Sequence, residues 1–357
     1  MRVGLGVIVA LLTASVGSAE AQRPAPPSPP APPAPPTRPG PPPGYQGGGA
    51  ERSERFSRKV RIGRTGRFTI SNIAGDIIVT TASGDEVSVD AVKRTRGDER
   101  ELADVTIEVE GGDGRVDVRT TYPTGRNRGR FSFSGNATFR RNEWVRVDYT
   151  IAVPASIEVD AKSVAGNVRV TGVQGAVRAE TVSGNVTTSG TPRLEVARSI
   201  SGTVDLSDIA SDRTVAASTV SGSLRGRSVK ARSLERRTVS GDIALTDAAC
   251  DRVEARSTSG SIDYAGALLK GGSYDFNVHS GTIRLALPDS PGFHLEADTF
   301  SGSIRSDLPL TIGGDADRGR GRGWRGVNGR SIQATFGDGS ATVTLRSFSG
   351  SIVIVRR

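Results

Sequence analysis

Between residues 157 and 306 the chain alternates apolar and polar positions, and the phase of that alternation flips at a recurring Ser-Gly. Successive versions read AETVSGNV at 179–186, ARSISGTV at 197–204, ASTVSGSL at 217–224 and RRTVSGDI at 236–243. With the glycine as reference, the motif recurs at Gly166, Gly184, Gly202, Gly222, Gly241, Gly260, Gly281 and Gly302, at spacings of 18, 18, 20, 19, 19, 21 and 21. Two positions after each glycine stand Val168, Val186, Val204, Leu224, Ile243, Ile262, Ile283 and Ile304, all aliphatic. Seven before it stand Val159, Val177, Val215, Leu234, Val253, Tyr274 and Leu295, with Glu195 as the exception. Five before it is alanine in six of eight units, and three before it is Ser or Thr in seven. Period-two alternation marks a strand with one buried face. A straight strand cannot change faces, so each Ser-Gly is a bend. Glycine suits it because it tolerates backbone angles closed to other residues and lets stacked backbones approach.

Self-similarity at a period near 20 is the signature of a stacked array. Two short strands and two corners in about 19 residues make one coil of a parallel β-solenoid. The expected fold is therefore all-β, a β-helix with a continuous aliphatic interior and almost no helix. The narrow Ala column beside a wide Val/Ile column predicts a flattened cross-section. A ninth corner, Gly350 in SFSGSIVIV, follows Gly302 by 48 residues. The surplus holds DADRGRGRGWRGVNGR, which reads as a long exposed loop.

Upstream, residues 60–153 alternate like strands. Turn signals at Ser83-Gly84-Asp85 and Gly111-Gly112-Asp113-Gly114 predict hairpins, and IAGDIIVT around Gly75 resembles a degenerate coil. Such a region suits the task of covering an open solenoid edge. The first 21 residues, with one Arg, an apolar run and Ala19-Glu20-Ala21, read as a secretory signal peptide. The expected organisation is a signal peptide at 1–21, a Pro-rich disordered linker at 22–55, an N-terminal β capping region at 56–153 and solenoid repeats at 154–357. An Arg/Gly-rich loop interrupts the repeats at 313–330. No transmembrane segment is expected after signal cleavage, which places the chain in the periplasm, on the surface or in the medium.

The segments VDYTIAVPASIEVDAKSVAGNVRVTGVQGAVRAETVSGNV, LALPDSPGFHLEADTFSGSI and the closing SFSGSIVIV resemble the DUF4097 family of β-strand-repeat proteins. These are also described as adhesin-like or toast-rack domains. The resemblance runs over about residues 60–357. It implies an exported bacterial β-solenoid and offers no catalytic motif to carry over.

Chemistry is sparse. Cys250 is the single cysteine, which excludes an intrachain disulfide, and reads as a small filler residue. The two histidines, His279 and His294, lie apart, and no G-x-S-x-G occurs. The outward column three after the glycine mixes isolated acids with Arg, a pattern suited to cross-coil ion pairs rather than to a pair of catalytic carboxylates. Gly321-Arg-Gly323-Trp-Arg-Gly326 matches a dinucleotide fingerprint only superficially, because a strand follows it where a helix is required. No enzyme activity, metal or cofactor is expected, nor a specific nucleic-acid site.

The net charge is +9, and almost all cations are Arg. The one candidate ligand-binding feature is the loop with Arg318, Arg320, Arg322, Trp324 and Arg325, where guanidinium groups around an indole could grip an anionic glycan. The nine corner glycines are structural. The leading functional expectation is a non-enzymatic exported scaffold, an adhesin-like or cell-envelope binding protein. A periplasmic envelope-stress or sensory accessory acting through an envelope protein is the alternative, and a glycan-active β-helix enzyme the outlier.

Overall fold

The computed structural model describes residues 51–112, 114–122, 145–288, 292–312 and 330–357. The signal peptide, the Pro-rich linker's first part and the Arg/Gly-rich loop lie outside the described residues. What is described, apart from a five-residue helix, is strand and turn.

The motif columns become columns of the solenoid. β8 (Glu158–Ala165) pairs in parallel with Val177–Ser183, matching Val159 to Val177 and Ala161 to Ala179. After the corner, β9 (Val168–Thr171) pairs in parallel with Val186–Ser189. The aliphatic position two after each glycine thus forms one continuous inner row. It runs Ile77, Val168, Val186, Val204, Leu224, Ile243, Ile262, Ile283, Ile352 and Ile304. Nine of these ten are fully buried, and only Ile304 in the outermost coil is partly exposed. Each contributes about 1.5–3 kcal/mol by burial, but only while its neighbours above and below are present.

The middle coils have three segments rather than the expected two. In the coil of Gly202, Val204–Ser207 forms one wall, Ile209–Ser211 a second, and Thr214–Ser218 the next. The extra corner lies six residues after the glycine and needs a left-handed backbone. Gly172 and Gly190 supply it at φ 79° and 62°, and Asp208, Ser228 and Asp247 adopt it at 52–54°. Asp is among the non-glycine residues that visit this region most readily.

Spatial order departs from chain order at both ends. β2 (Arg67–Ala74) and β3 (Ile77–Ala82), joined at Gly75, form a true coil stacked directly on β8 and β9. β4 (Glu86–Thr95), α1 (Arg100–Asp104) and β5 (Thr106–Gly112) then lead outward. They reach a further coil made of β6 (Arg115–Thr121) and β7 (Arg146–Pro154), which packs on the far side of β2 and β3. Because β7 and β9 occupy both edges of β3, Ser83-Gly84-Asp85 is not a hairpin turn, contrary to its sequence signal. β4 pairs antiparallel with β7, and β1 (Arg52–Arg61) with β4. Gly111 and Gly112 do lead into a hairpin, β5 with β6. At the other end Ala341–Ser349 inserts between Ser273–Ser280 and Phe293–Ser301, so the coil of Gly350 lies inside that of Gly302. The antiparallel strand Arg330–Phe336 covers the outer edge of Phe293–Ser301. β1 carries Arg52, Arg55, Arg58, Lys59 and Arg61, and such charge on an edge strand opposes pairing with other chains.

Candidate binding surface

The corner glycines assemble into one ladder in the order Gly75, Gly166, Gly184, Gly202, Gly222, Gly241, Gly260, Gly281, Gly350, Gly302. A Cβ built on any member from Gly166 onward would sit 1.9–2.2 Å from the carbonyl oxygen of the preceding glycine. From Gly166 to Gly350 the amide N–H donates to the serine carbonyl of the following coil, as from Gly184 to Ser201 at 3.1 Å and from Gly241 to Ser259 at 2.9 Å, and Gly75 donates to the Ala165 carbonyl at 2.8 Å. The hydroxyl three positions before the glycine completes the joint. Thr181, Ser199, Thr219, Thr238, Ser257 and Thr299 each donate to the glycine carbonyl of the coil before, at 2.9–3.2 Å. That carbonyl would otherwise be buried beside a backbone with no room for water.

Two positions before each glycine the side chain points outward at the edge between two walls. Val164, Val182, Ile200, Val220 and Val239 are 42–51% exposed, followed by Thr258, His279, Phe348 and Phe300. Seven of nine coils place a large hydrophobic here, where it adds nothing to the core. The last three rings stack. His279 and Phe348 lie 4.7 Å apart at 8°, and Phe348 and Phe300 4.9 Å apart at 4°. Stacked this way, the rings turn their faces along the rod and only their edges outward, which makes a ridge and not a platform for sugar faces.

Beside the ridge, four before each glycine, runs an outward polar column: Lys162, Glu180, Arg198, Ser218, Arg237, Arg256, Asn277, Arg346 and Asp298 in spatial order. Acids two residues further back brace it, with Arg237 2.9 Å and Arg256 3.3 Å from Glu254. Arg346 lies 3.8 Å from both Asp275 and Glu296. The ion pairs therefore form on the wall before the corner, not in the column three after it where the sequence pattern put them. Each is exposed and contributes about 0–1 kcal/mol.

Arg318, Arg320, Arg322, Trp324 and Arg325 lie outside the described residues, as does the basic run from Arg126 to Arg141. His294 shares a hydrogen bond with Thr335 at 3.0 Å, at the far end of its strand from Phe300 and so away from His279. Among the described residues no group of three or more His, Cys, Asp or Glu could hold a metal ion. In the same residues no helix is long and apolar enough to cross a membrane.

Sequence reasoning passed over one interior residue. Arg236 stands in the column held elsewhere by Ala161, Ala179, Ala197, Ala217, Ala255 and Ala297 and by the apolar Phe276 and Leu345, and it is fully buried. None of its three guanidinium nitrogens has a hydrogen-bond partner. Its guanidinium lies against Gly226, where an added Cβ would stand 3.2 Å from Nη2. Burial lowers its pKa from 12.5 to about 10. Close by, burial pushes the Cys250 thiol from 9.0 up to about 11. The signal was present, as the one charged residue in an otherwise apolar column.

Burial also raises Tyr122, Tyr149 and Tyr274 from 10.0 to about 12, and Tyr264 further. These groups hold their protons more tightly folded than unfolded, so their contribution is complete below pH 9–10 and is lost as pH rises toward 12. Arg236 acts in the opposite sense between about 10 and 12.5, but it is one group against five. Thermal midpoints are therefore expected to stay level near neutrality and to fall progressively above about pH 9. A midpoint that rises between pH 9 and 11 contradicts this.

Residues 193–354 match the model of the Toastrack DUF4097 family. No curated protein gives a significant match. Among solved structures, one titled a "putative adhesin" from Bacteroides fragilis is 13% identical, covering 85% of this chain and 97% of its own, with a TM-score of 0.38. A "putative lipid binding protein" from Parabacteroides distasonis is 14% identical, covering 85% and 96%, with a TM-score of 0.37. A "putative cell adhesion protein" from Clostridium sporogenes is 13% identical, covering 86% and 100%, with a TM-score of 0.23. The glycine ladder, the repeat period and the family match agree, and over residues 193–354 the repeat array is similar to the Toastrack DUF4097 family.

Proposed function

We propose that this chain is a non-enzymatic, exported β-solenoid scaffold that works by adhesin-like binding at the cell envelope. The observation that carries the reading is the make-up of the outer surface. Its columns repeat one kind of chemistry coil after coil, an apolar ridge beside a braced polar row, over about 40 Å of rod. Such a surface offers extended contact along its length. A catalytic site would instead concentrate two carboxylates at one fixed separation.

Protease shaving of intact cells making a C-terminally tagged chain tests the reading. Digestion without permeabilising the outer membrane is the expected result. Protection until permeabilisation would remove surface adhesion and favour the periplasmic accessory working through an envelope protein. Tagged chain found only in the medium would also overturn envelope attachment.

A further inference from the structure

We propose that the extended contact offered by the exposed ridge, on which the reading above rests, is made with a second copy of this chain, in an antiparallel homodimer with Val239 at its two-fold axis. The ridge is repeated too regularly to be incidental, yet it does no work in the core. At ~4.8 Å per coil the ridge runs for roughly 40 Å. The partner that fits it is a second copy, for two independent reasons.

The first is size. The ridge tapers, with valines at the Val164 end and stacked phenylalanines at the Phe300 end. Antiparallel pairing sets Val164 against Phe300, Val182 against Phe348 and Ile200 against His279, so that the two rods stay evenly spaced. Parallel pairing would put Phe on Phe at one end and Val on Val at the other, and the rods would splay.

The second is charge. A two-fold axis perpendicular to both rods brings the polar column of one chain alongside the same column of its partner, running the other way. Centred on Arg237, Lys162 meets Asp298 and Glu180 meets Arg346, each pair twice. Arg198 then meets Asn277, and Ser218 meets Arg256. Only Arg237 faces itself, and Glu254 at 2.9 Å, shared with Arg256, offsets part of its charge. Sliding by one coil in one direction sets Glu180 on Asp298 and Arg198 on Arg346. Sliding in the other sets Lys162 on Arg346 and Arg198 on Arg256. One register satisfies the column, and it is the register that the taper selects. Like-charge juxtaposition is what excludes its neighbours.

Sedimentation equilibrium of the full chain tests this, with far-UV circular dichroism and thermal midpoints confirming that each variant is folded. The native chain is expected to be dimeric at about 100 μM. Glu180→Arg alone and Arg346→Glu alone should each weaken the dimer about tenfold, and combining them should restore it. Val239→Asp places two carboxylates on the axis and should yield monomer with a near-native melting midpoint. A native chain that is monomeric at that concentration overturns the proposal. So does a dimer whose strength neither charge reversal alters, since its interface would then be elsewhere. Binding of the monomeric native chain to anionic phospholipid vesicles, lost in Val239→Asp, would also overturn it by assigning the ridge to a lipid surface.

Discussion

Replacing Arg236 with methionine is expected to stabilise the folded chain by about 2–4 kcal/mol, although it removes a charged residue from the middle of the solenoid. Arg236 is fully buried, and its guanidinium nitrogens have no partner. Burying an ion without compensation is among the costliest arrangements a core can hold. The depression of its pKa from 12.5 to about 10 expresses the same penalty, which at 1.36 kcal/mol per unit is about 3 kcal/mol. Methionine keeps the aliphatic stem and drops the charge. Alanine, the residue usual in this column, should gain less, because Gly226 leaves no side chain opposite to fill the space. The folded chain disfavours the protonated form of Arg236, so the penalty is complete below about pH 10 and is relieved as pH rises toward 12.5. The advantage of the methionine variant should shrink over that range. Urea unfolding at pH 7 and at pH 10.5 measures both effects. A variant with a lower midpoint than the native chain at pH 7 would mean that the guanidinium is satisfied in solution.

Gly241→Ala is expected to cost more than about 4 kcal/mol, or to prevent folding altogether. Gly241 lies mid-ladder at φ 145°, and an added Cβ would fall 2.0 Å from the carbonyl oxygen of Gly222. That oxygen belongs to a backbone held on both faces by stacked coils, so it cannot move aside without parting the array. Two controls separate the causes. Gly271→Ala meets nothing within 4 Å at φ 72°, so it bears only the left-handed backbone penalty of about 1–2 kcal/mol. Gly302→Ala meets Gly350 at 2.0 Å but lies in the outermost coil, which has no coil beyond it and can shift. The expected order of loss is Gly241, then Gly302, then Gly271. Equal losses at Gly241 and Gly271 would show that steric stacking is not what the corner glycine serves.

Much of this architecture is legible from the repeat. The inner rows follow because burial alternates with period two and changes phase at a fixed place, and Val168 through Ile304 occupy that place in every coil. The glycine ladder follows because one residue type recurs where the phase changes. Less was legible at the corner six residues later. There Gly172 and Gly190 give way to Asp208, Ser228 and Asp247, so residue identity no longer marks the shared backbone conformation. The exposed ridge was visible as a column of Val, Ile and Phe. Its exposure depends on which way the edge between two walls points, and alternation alone does not say.

The sequence by itself determined the repeat, the parity of each strand, the Gly at each bend and the aliphatic interior, because those are local properties that every coil states again. Only the tertiary structure decided the stacking order. Every coil presents the same columns, so Ala341–Ser349 fits between Ser273–Ser280 and Phe293–Ser301 as well as it would fit at the end, and nothing local distinguishes the two. What selects the inserted position is closure of the rod. Phe293–Ser301 takes the outermost place, where the antiparallel strand Arg330–Phe336 covers its edge, while the aliphatic Ile352 and Ile354 are kept fully buried inside.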